Sequence, residues 1–284
     1  MSIEPGYLSR LLKQFELEQL DRDLFLGSPG PGKGRLFGGL IAAQSVMAAG
    51  RTVEDGRYLH SLHAYFLRPG NHDAPIRYTV YRIRDGRSFT SRDVVAYQSG
   101  EAIFSVSTSF VAPEGGDDFQ LTPLPLPGPE ALPDLEAAWV ERHGDDEDRR
   151  WYAEYPVEQR HERMGGADAH GERRRAVWMR PKGDMPPGDT LVHTALVVWV
   201  SDDGLMSTVS WKDGPEEERR EMRASLDHAM WFHEPARWDD WLLYRSESTV
   251  GRNARALING GMYRRDGRLV VSVTQEALVR TAKP

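Results

Sequence analysis

Gln275 is a polar residue in an apolar setting. It belongs to LVVSVTQEALVR (269–280), a segment whose composition predicts a β-strand. Because side chains alternate between the two faces of a strand, the amide falls on the same face as Val271 and Val273. Burying an uncompensated amide costs about 1–3 kcal/mol. Gln275 is therefore expected either to meet a partner inside the fold or to take part in chemistry.

Two further polar residues occupy comparable positions in the second half of the sequence. Asp202 follows the apolar run LVVWVS in the last turn of a predicted buried helix, where the helix dipole disfavours a carboxylate. Periodicity does not choose between Asp202 and its neighbour Asp203, which could be an ordinary solvent-facing residue. Ser225 opens a predicted central strand. The structural alternative is that Ser225 caps this strand and Gln275 satisfies a buried backbone group.

Several common catalytic motifs are absent from the sequence. The chain has no cysteine, which excludes disulfides, cysteine–zinc sites, iron–sulfur clusters and thiol nucleophiles. It has no G-x-S-x-G elbow of a serine hydrolase and no H-E-x-x-H zinc motif. The glycine-rich GSPGPGKGR (27–35) lacks the G-K-[ST] ending of a phosphate loop and is predicted to be a surface loop. The residues thus predict neither a metal nor a cofactor.

Length and charge limit the class of protein. A chain of 284 residues can form one large domain or two modest ones. Its net charge of −7 argues against a general nucleic-acid binder, which needs clustered lysine and arginine. No apolar stretch is long enough to span a membrane, and the first residues lack the layout of a secretory signal. We expect a cytoplasmic protein without nucleic-acid partners.

An internal repeat is the most informative feature of the organisation. LHSLHAYFLRP (59–69) aligns with SLDHAMWFHEP (225–235), and YQSGEAIFSVSTSF (97–110) aligns with YRRDGRLVVSVTQEA (263–277). The second pair predicts a strand end, a glycine-containing hairpin turn and a strand in each half. In this alignment Thr108 of the first half is the counterpart of Gln275. A hydrogen-bonding side chain is therefore expected at the same inward position of both halves.

Each half also contains an apolar segment that predicts a buried helix. In the first half it is LFGGLIAAQSVMAAG (36–50), with Gly50 as the C-terminal stop. In the second half it is GDTLVHTALVVWVSDDG (188–204), with Asp189 or Thr190 as the N-cap. Both segments are apolar nearly all round, as expected of a helix that has neighbours on every side.

Long strands follow each of these helices. Residues 74–98 are predicted to form two strands joined at Asp85-Gly86, and residues 241–265 are their counterpart. Each half is thus predicted to be one buried helix followed by an antiparallel sheet long enough to wrap around it. The fold class is α+β.

The division of the chain follows from its composition. A proline-rich stretch within residues 119–150 predicts an extended linker. We predict an N-terminal unit at 1–118 and a C-terminal unit at 151–284. The segment YPVEQRHERMGG (155–166) is the candidate first strand of the second unit.

Seven motifs follow one another along the two halves: LFGG (36–39), HSLHAYFLRPG (60–70), RDGRSF (84–89), SLDHAMWFH (225–233), WLLYRSES (241–248), GRNARA (251–256) and TQEALVR (274–280). Together these motifs resemble the acyl-CoA thioesterase II family, whose fold is a double hotdog, two fused repeats that each wrap a long antiparallel sheet around a central helix. The resemblance covers most of the chain except about residues 120–185 and follows the family's order.

The resemblance implies a site and a reaction. In this family an Asp, a Thr or Ser hydroxyl and a Gln activate a water that attacks the thioester of acyl-CoA. The matching residues here are Asp202, Ser225 and Gln275. Ser225 stands where Thr is common, which keeps the hydroxyl donor. Because the first half has Thr108 in place of Gln275, it is expected to be a pseudo-site.

The resemblance also suggests how the substrate binds. Phe37, Tyr65 and Trp231 are candidate walls of an acyl tunnel, although each could be ordinary core. Backbone N–H groups at a helix N-terminus are expected to stabilise the oxyanion. The candidates for contacting the CoA phosphates are Arg68, Arg252 and Arg255. Such a protein is expected to assemble into dimers or tetramers.

Two other functions stay open at this point. One is an enoyl-acyl hydratase of the same fold, which would need an Asp and a His close together on the central helix. His193 and Asp202 share the predicted helix but do not lie on one tight face, which counts against it. The other is a protein that binds acyl-CoA without hydrolysing it.

Overall fold

The computed structural model describes residues 6–121, 125–143, 154–163, 165–210 and 221–281. These residues form a thirteen-stranded antiparallel sheet that packs against two long helices. The helices are α1 (Tyr7–Gln14), α2 (Gly38–Gly50), α3 (Leu135–His143), α4 (Thr190–Ser201) and α5 (Ser207–Ser210). The strands of the first part are β1 (Glu18–Asp21), β2 (Leu24–Gly27), β3 (Tyr58–Phe66), β4 (Ile76–Asp85), β5 (Phe89–Gln98) and β6 (Glu101–Val111). Those of the second part are β7 (Val157–Arg163), β8 (Arg173–Pro181), β9 (Glu221–Ser225), β10 (Asp227–Phe232), β11 (Leu242–Arg252), β12 (Arg255–Arg264) and β13 (Leu269–Thr281).

The sheet is symmetric about its centre, where β3 pairs with β10. Outward from β3 the order is β6, β5, β4, β2 and β1, and outward from β10 it is β13, β12, β11, β8 and β7. Each strand of the first series therefore has a counterpart in the second, while β9 pairs with β13. The aligned segments 59–69 and 225–235 contain the two central strands. The predicted sequence repeat is confirmed as a structural repeat.

The helices α2 and α4 lie at the buried centre of the fold and run antiparallel. A Cβ on Gly39 would lie 2.4 Å from the carbonyl oxygen of Trp199, and a Cβ on Gly50 would lie 2.4 Å from a methyl group of Leu191. The N-terminal end of α2 therefore meets the C-terminal end of α4. Helix α2 is buried from Gly39 to Ala49 because it packs against α4 and against several strands of the sheet. This burial explains why both helices are apolar nearly all round.

The ends of these helices confirm one prediction and correct another. Asp189 is the N-cap of α4, and its side chain accepts a hydrogen bond from the Val192 N–H (3.0 Å). Gly50 is not a helix stop, because it is the last residue of α2 and Arg51 follows it in a helical conformation. Its missing side chain instead makes room for Leu191 of the neighbouring helix.

An irregularity separates Ser225 from the central strand. Ser225 ends β9, and β10 begins at Asp227. The N–H of Leu226 donates to the carbonyl of Glu276 (2.9 Å), while the Asp227 carboxylate accepts from the Glu276 N–H (2.7 Å). Ser225 is consequently opposite Ala277 of β13, whereas Asp227 pairs with β3. The prediction that Ser225 opens the central strand is wrong, because this break comes between them.

The remaining strand predictions agree with the structure. The pairs expected at 74–98 and 241–265 are β4–β5 and β11–β12. The candidate first strand at 155–166 is β7, and its prediction is confirmed. The predicted linker contacts the second half, since Trp178 Nε1 donates to the carbonyl of Pro127 (2.9 Å). The unit boundaries at residues 118 and 150 stay predictions.

We predict that Gly39→Ala destabilises the fold. The added methyl group would lie 2.4 Å from the backbone of Trp199, which no side-chain rotation can relieve, so α2 and α4 would have to separate. Overpacking of this kind costs about 1–3 kcal/mol. Urea unfolding followed by circular dichroism measures it. Gly115→Ala is the control, because its Cβ would enter open space; equal urea midpoints for the two variants would contradict the close helix contact.

Candidate active site

Asp202 lies where the two halves meet. It is the C-cap of α4 and is 9% exposed. The negative end of its own helix disfavours a carboxylate there, but the first turn of α2 offsets this. The backbone N–H of Gly39 lowers the pKa of the carboxyl group, and Oδ2 lies beside Gly38, where a Cβ would be 2.8 Å away. The carboxylate thus occupies the junction between the C-terminal end of one helix and the N-terminal end of the other.

Ser225 and Gln275 reach the same point from two other elements. Ser225 Oγ donates to Asp202 Oδ1 (3.2 Å), and Gln275 Nε2 donates to Ser225 Oγ (3.1 Å). Gln275 is completely buried on β13, as the strand alternation predicted. The three residues singled out from the sequence therefore form one hydrogen-bonded chain. They come from α4, β9 and β13, so only the tertiary fold brings them together.

The chain continues into the core through His228, which was not singled out from the sequence. Its Nδ1 lies 2.6 Å from Gln275 Oε1, and its Nε2 lies 2.8 Å from Ser201 Oγ. His228 is 1% exposed. The signal was available, because alternation in DHAMWF (227–232) puts His228 on the same buried face as Met230 and Phe232.

Burial controls the protonation of this cluster. It raises the pKa of Asp202 above the ordinary carboxyl value, and the nearby charge of Asp203 adds to the effect. The His228 imidazole, the Ser225 hydrogen bond and the Gly39 N–H oppose it. Burial also lowers the pKa of His228, and the negative charge of Asp202 is the main effect that opposes this shift. A carboxylate with a raised pKa is the stronger base, which suits it to accept a proton from water.

Asp203 has a different environment from Asp202. Its Oδ2 accepts a hydrogen bond from Gln159 Nε2 (2.9 Å). Its charge stabilises the protonated form of Arg175, a buried guanidinium whose pKa is lowered by burial. Asp203 is therefore not the ordinary solvent-facing residue considered from the sequence. Of the two acids, Asp202 is the one that accepts a hydrogen bond from Ser225.

The matching position in the first half lacks this chain of polar groups. Thr108 is buried, and its Oγ1 donates to the backbone carbonyl of Arg92 (2.9 Å). Leu62 pairs with Thr108 across the ladder, at the place that His228 occupies in the second half. Arg51 is the C-cap of α2, where α4 has Asp202. These contacts give Thr108 a structural role and support the expected pseudo-site.

Comparison with known proteins identifies the family. A family model described as the acyl-CoA thioesterase N-terminal domain matches residues 28–111, and one described as the acyl-CoA thioesterase C-terminal domain matches residues 127–279. Acyl-coenzyme A thioesterase 8 from Mus musculus is 35% identical to this chain, over 93% of the chain and 87% of the relative. The chain belongs to the acyl-CoA thioesterase family.

Bacterial members of the acyl-CoA thioesterase family are similarly close. Acyl-CoA thioesterase 2 from Haemophilus influenzae is 31% identical, over 96% of this chain and 98% of the relative. A crystal structure of the acyl-CoA thioesterase II TesB2 from Mycobacterium marinum matches with a TM-score of 0.78 at 34% identity, covering 97% of this chain and 99% of that one. The predicted double-hotdog fold of this family is therefore confirmed.

The aromatic residues predicted to line an acyl tunnel in this thioesterase family member lie in different surroundings. Phe37 is half-buried, and its ring packs edge-on against Trp199 (5.4 Å between centroids). Tyr65 is 61% exposed and Trp231 is 37% exposed. The tunnel prediction is wrong for these two, because strand alternation points Ala64 and Met230 inward and therefore points Tyr65 and Trp231 outward.

The hydratase alternative gains no support from the helix histidine. His193 Nδ1 accepts from the Trp238 N–H (2.9 Å), and its Nε2 lies 3.1 Å from the carbonyl of Pro186. Both ring nitrogens are thus used in structural contacts at the opposite end of α4 from Asp202.

Among the residues that the structure describes, no group of three or more His, Asp or Glu could hold a metal ion. Within the same ranges, none of the helices has the length and apolar character needed to cross a membrane.

We predict that Asp202→Asn stabilises the protein at neutral pH. The pKa of Asp202 is raised in the folded state, so an unfolded chain ionises this carboxyl first as pH rises. Between the pKa of Asp202 in the unfolded chain and its higher pKa in the folded protein, the wild type therefore loses stability relative to the variant. The difference in stability becomes constant above the folded-state pKa. Urea unfolding of both proteins from pH 4 to pH 8 checks this.

Asp203→Asn is the matched control for this stability measurement. It removes the charge that offsets the buried Arg175, so we expect this variant to be less stable than the wild type at neutral pH. If Asp202→Asn were destabilised to the same extent, the buried Asp202 carboxylate would not carry the desolvation cost inferred here.

Proposed function

We propose that this protein hydrolyses acyl-CoA to a free acid and CoA by direct attack of water, with Asp202, Ser225 and Gln275 as the catalytic residues. The observation that carries the proposal is their hydrogen-bonded convergence at the junction of the two halves. A thioester carbonyl is already a good electrophile, so an oriented water and a general base are sufficient. The family membership supports the same substrate class.

The contacts support a specific role for each group. Asp202 Oδ1 is occupied by the Ser225 hydroxyl, while Oδ2 faces the glycine at the start of α2 and accepts the proton of the attacking water. Ser225 and Gln275 supply the polar groups that hold this water. The water oxygen bonds to the carbonyl carbon, and collapse of the tetrahedral intermediate breaks the C–S bond. The departing thiolate takes the proton back from Asp202.

Helix α2 supports stabilisation of the charge that develops on the carbonyl oxygen. Its N-terminal end begins at Gly38, directly beside the carboxylate, and the partial positive charge of a helix N-terminus favours an oxyanion. Gly38 has no side chain of its own to cover its backbone N–H beside the carboxylate. We propose that this first turn supplies the oxyanion donors.

The three arginines proposed to contact the CoA phosphates have different surroundings in this structure. Arg68 pairs with Glu101 (3.2 Å) and Arg255 pairs with Glu276 (2.9 Å) on the surface. A phosphate would have to replace these carboxylates, although exposed pairs contribute little and exchange readily. Arg252 is exposed at the end of β11. We retain all three as proposed phosphate ligands.

The cytoplasmic location and the assembly into dimers or tetramers are likewise proposals.

A thiol-release assay with a series of acyl-CoA chain lengths tests the proposed function. We expect turnover by the wild-type protein and a loss of about 10²- to 10⁴-fold in kcat for Asp202→Asn. Ser225→Ala and Gln275→Ala are expected to lower kcat in the same direction, because each removes a group that holds the water. Ser225→Thr keeps the hydroxyl and is expected to keep most of the activity.

Asp203→Asn is the control for the assay, since Asp203 contacts Gln159 instead of Ser225. It is expected to retain turnover. Binding of acyl-CoA without CoA release from any chain length would instead show a non-catalytic binding protein. Full activity of Asp202→Asn with loss in Asp203→Asn would show that the wrong acid has been chosen.

A further inference from the structure

A continuous row of polar side chains, all buried except the half-buried Ser225, runs from Asp202 into the core of the second half. Its members in order are Asp202, Ser225, Gln275, His228 and Ser201, joined by contacts of 3.2, 3.1, 2.6 and 2.8 Å. The first three belong to the proposed catalytic group. His228 and Ser201 lie behind them, and the proposed mechanism assigns them no role.

The number of hydrogens fixes the direction of the bonds from Asp202 to His228. A carboxylate only accepts, so the Ser225 hydroxyl donates to Asp202. Ser225 must then accept from Gln275 Nε2, which leaves Gln275 Oε1 facing His228 Nδ1. An amide oxygen also only accepts, so Nδ1 carries the proton. In the neutral imidazole Nε2 carries no hydrogen and only accepts, so the single hydroxyl hydrogen of Ser201 points to Nε2 in competition with the Val198 carbonyl, which lies 2.8 Å away.

The tautomer of His228 therefore decides which way the Gln275 amide points. If the amide were reversed, its Nε2–H₂ group would face the Nδ1–H of His228 and two donors would oppose each other. Its oxygen would then face Ser225 and draw the hydroxyl proton away from Asp202. With the observed orientation, Nε2 has one hydrogen for Ser225 and a second that is available to the proposed water.

We propose that His228 is a positioning residue that holds Gln275 with its donor end toward Ser225 and the attacking water, an inference that rests on the proposed hydrolysis. The first half supports this assignment. Leu62 stands opposite Thr108 there, and Thr108 needs no such partner because it donates to a backbone carbonyl. A histidine is present in the half that has an amide to orient.

Three variants test this role through kcat. His228→Leu introduces the residue that the first half has at this place and leaves the Gln275 oxygen without its donor, so kcat should fall about 10- to 100-fold. KM should change little, because His228 is buried behind the catalytic residues. His228→Asn offers an Nδ2–H near the position of Nδ1–H and should restore kcat to within a few-fold of the wild type. His228→Leu combined with Gln275→Ala should be no slower than Gln275→Ala alone.

These outcomes separate the role of His228 from the proposed function. Absence of turnover in the wild-type protein would overturn the hydrolase proposal itself. Normal turnover in both the wild type and His228→Leu would overturn only the role of His228. A further loss of the same size when His228→Leu is added to Gln275→Ala would also overturn it, because His228 would then act independently of the amide.

A measurement on the unmutated protein covers the case in which His228→Leu does not fold. The ¹⁵N chemical shifts of the imidazole ring distinguish a protonated Nδ1 from a protonated Nε2, and both from the imidazolium. We expect the neutral ring with the proton on Nδ1 near pH 7. The Nε2–H tautomer would overturn the proposal, since that ring could not donate to Gln275 Oε1.

Discussion

The junction between the C-terminal end of α4 and the N-terminal end of α2 is the contact on which the site depends. Asp202 stands against the dipole of its own helix and is also buried, and both conditions disfavour its charge. The antiparallel packing of the two helices offsets part of these costs, because the Gly39 backbone N–H of α2 favours the ionised carboxylate. That packing needs glycine at the first two residues of α2. A side chain at Gly38 would meet the Asp202 carboxylate, and one at Gly39 would meet the backbone of α4. The site therefore belongs to the pair of halves and to neither half alone.

The two halves share one architecture and carry different chemistry at matching positions. In the first half, Leu62 and Thr108 complete the packing and satisfy a backbone carbonyl. In the second half, His228 and Gln275 take part in a network of side chains that ends at Asp202. A buried polar network is stable only when every member has a partner. The network here satisfies that condition because His228 has Ser201 of α4 as its second partner. The polar residues therefore continue into the core beyond the three that the proposed reaction uses.

Local patterns predicted much of this arrangement. Strand alternation placed Gln275 inside, and the repeat placed Thr108 at the same position in the first half. The same alternation, applied to the central strand, would have found His228 and shown that Trp231 points outward; choosing aromatic residues by type instead led to the wrong tunnel walls. Periodicity could not separate Asp202 from Asp203, because adjacent residues at a helix end both leave the helical pattern.

The sequence by itself determined the strands and helices, their repetition, the α+β class and, through its motifs, the family. These features depend on the spacing of apolar residues and on turn residues that are close together in the chain. Only the tertiary structure decided which acid meets Ser225 and that a buried histidine faces Gln275. Those facts depend on how α4, β9, β10 and β13 cross one another, and on which helix N-terminus faces the carboxylate. Hydrogen bonds need agreement to within a few tenths of an ångström between residues distant in sequence, and no local periodicity specifies such distances.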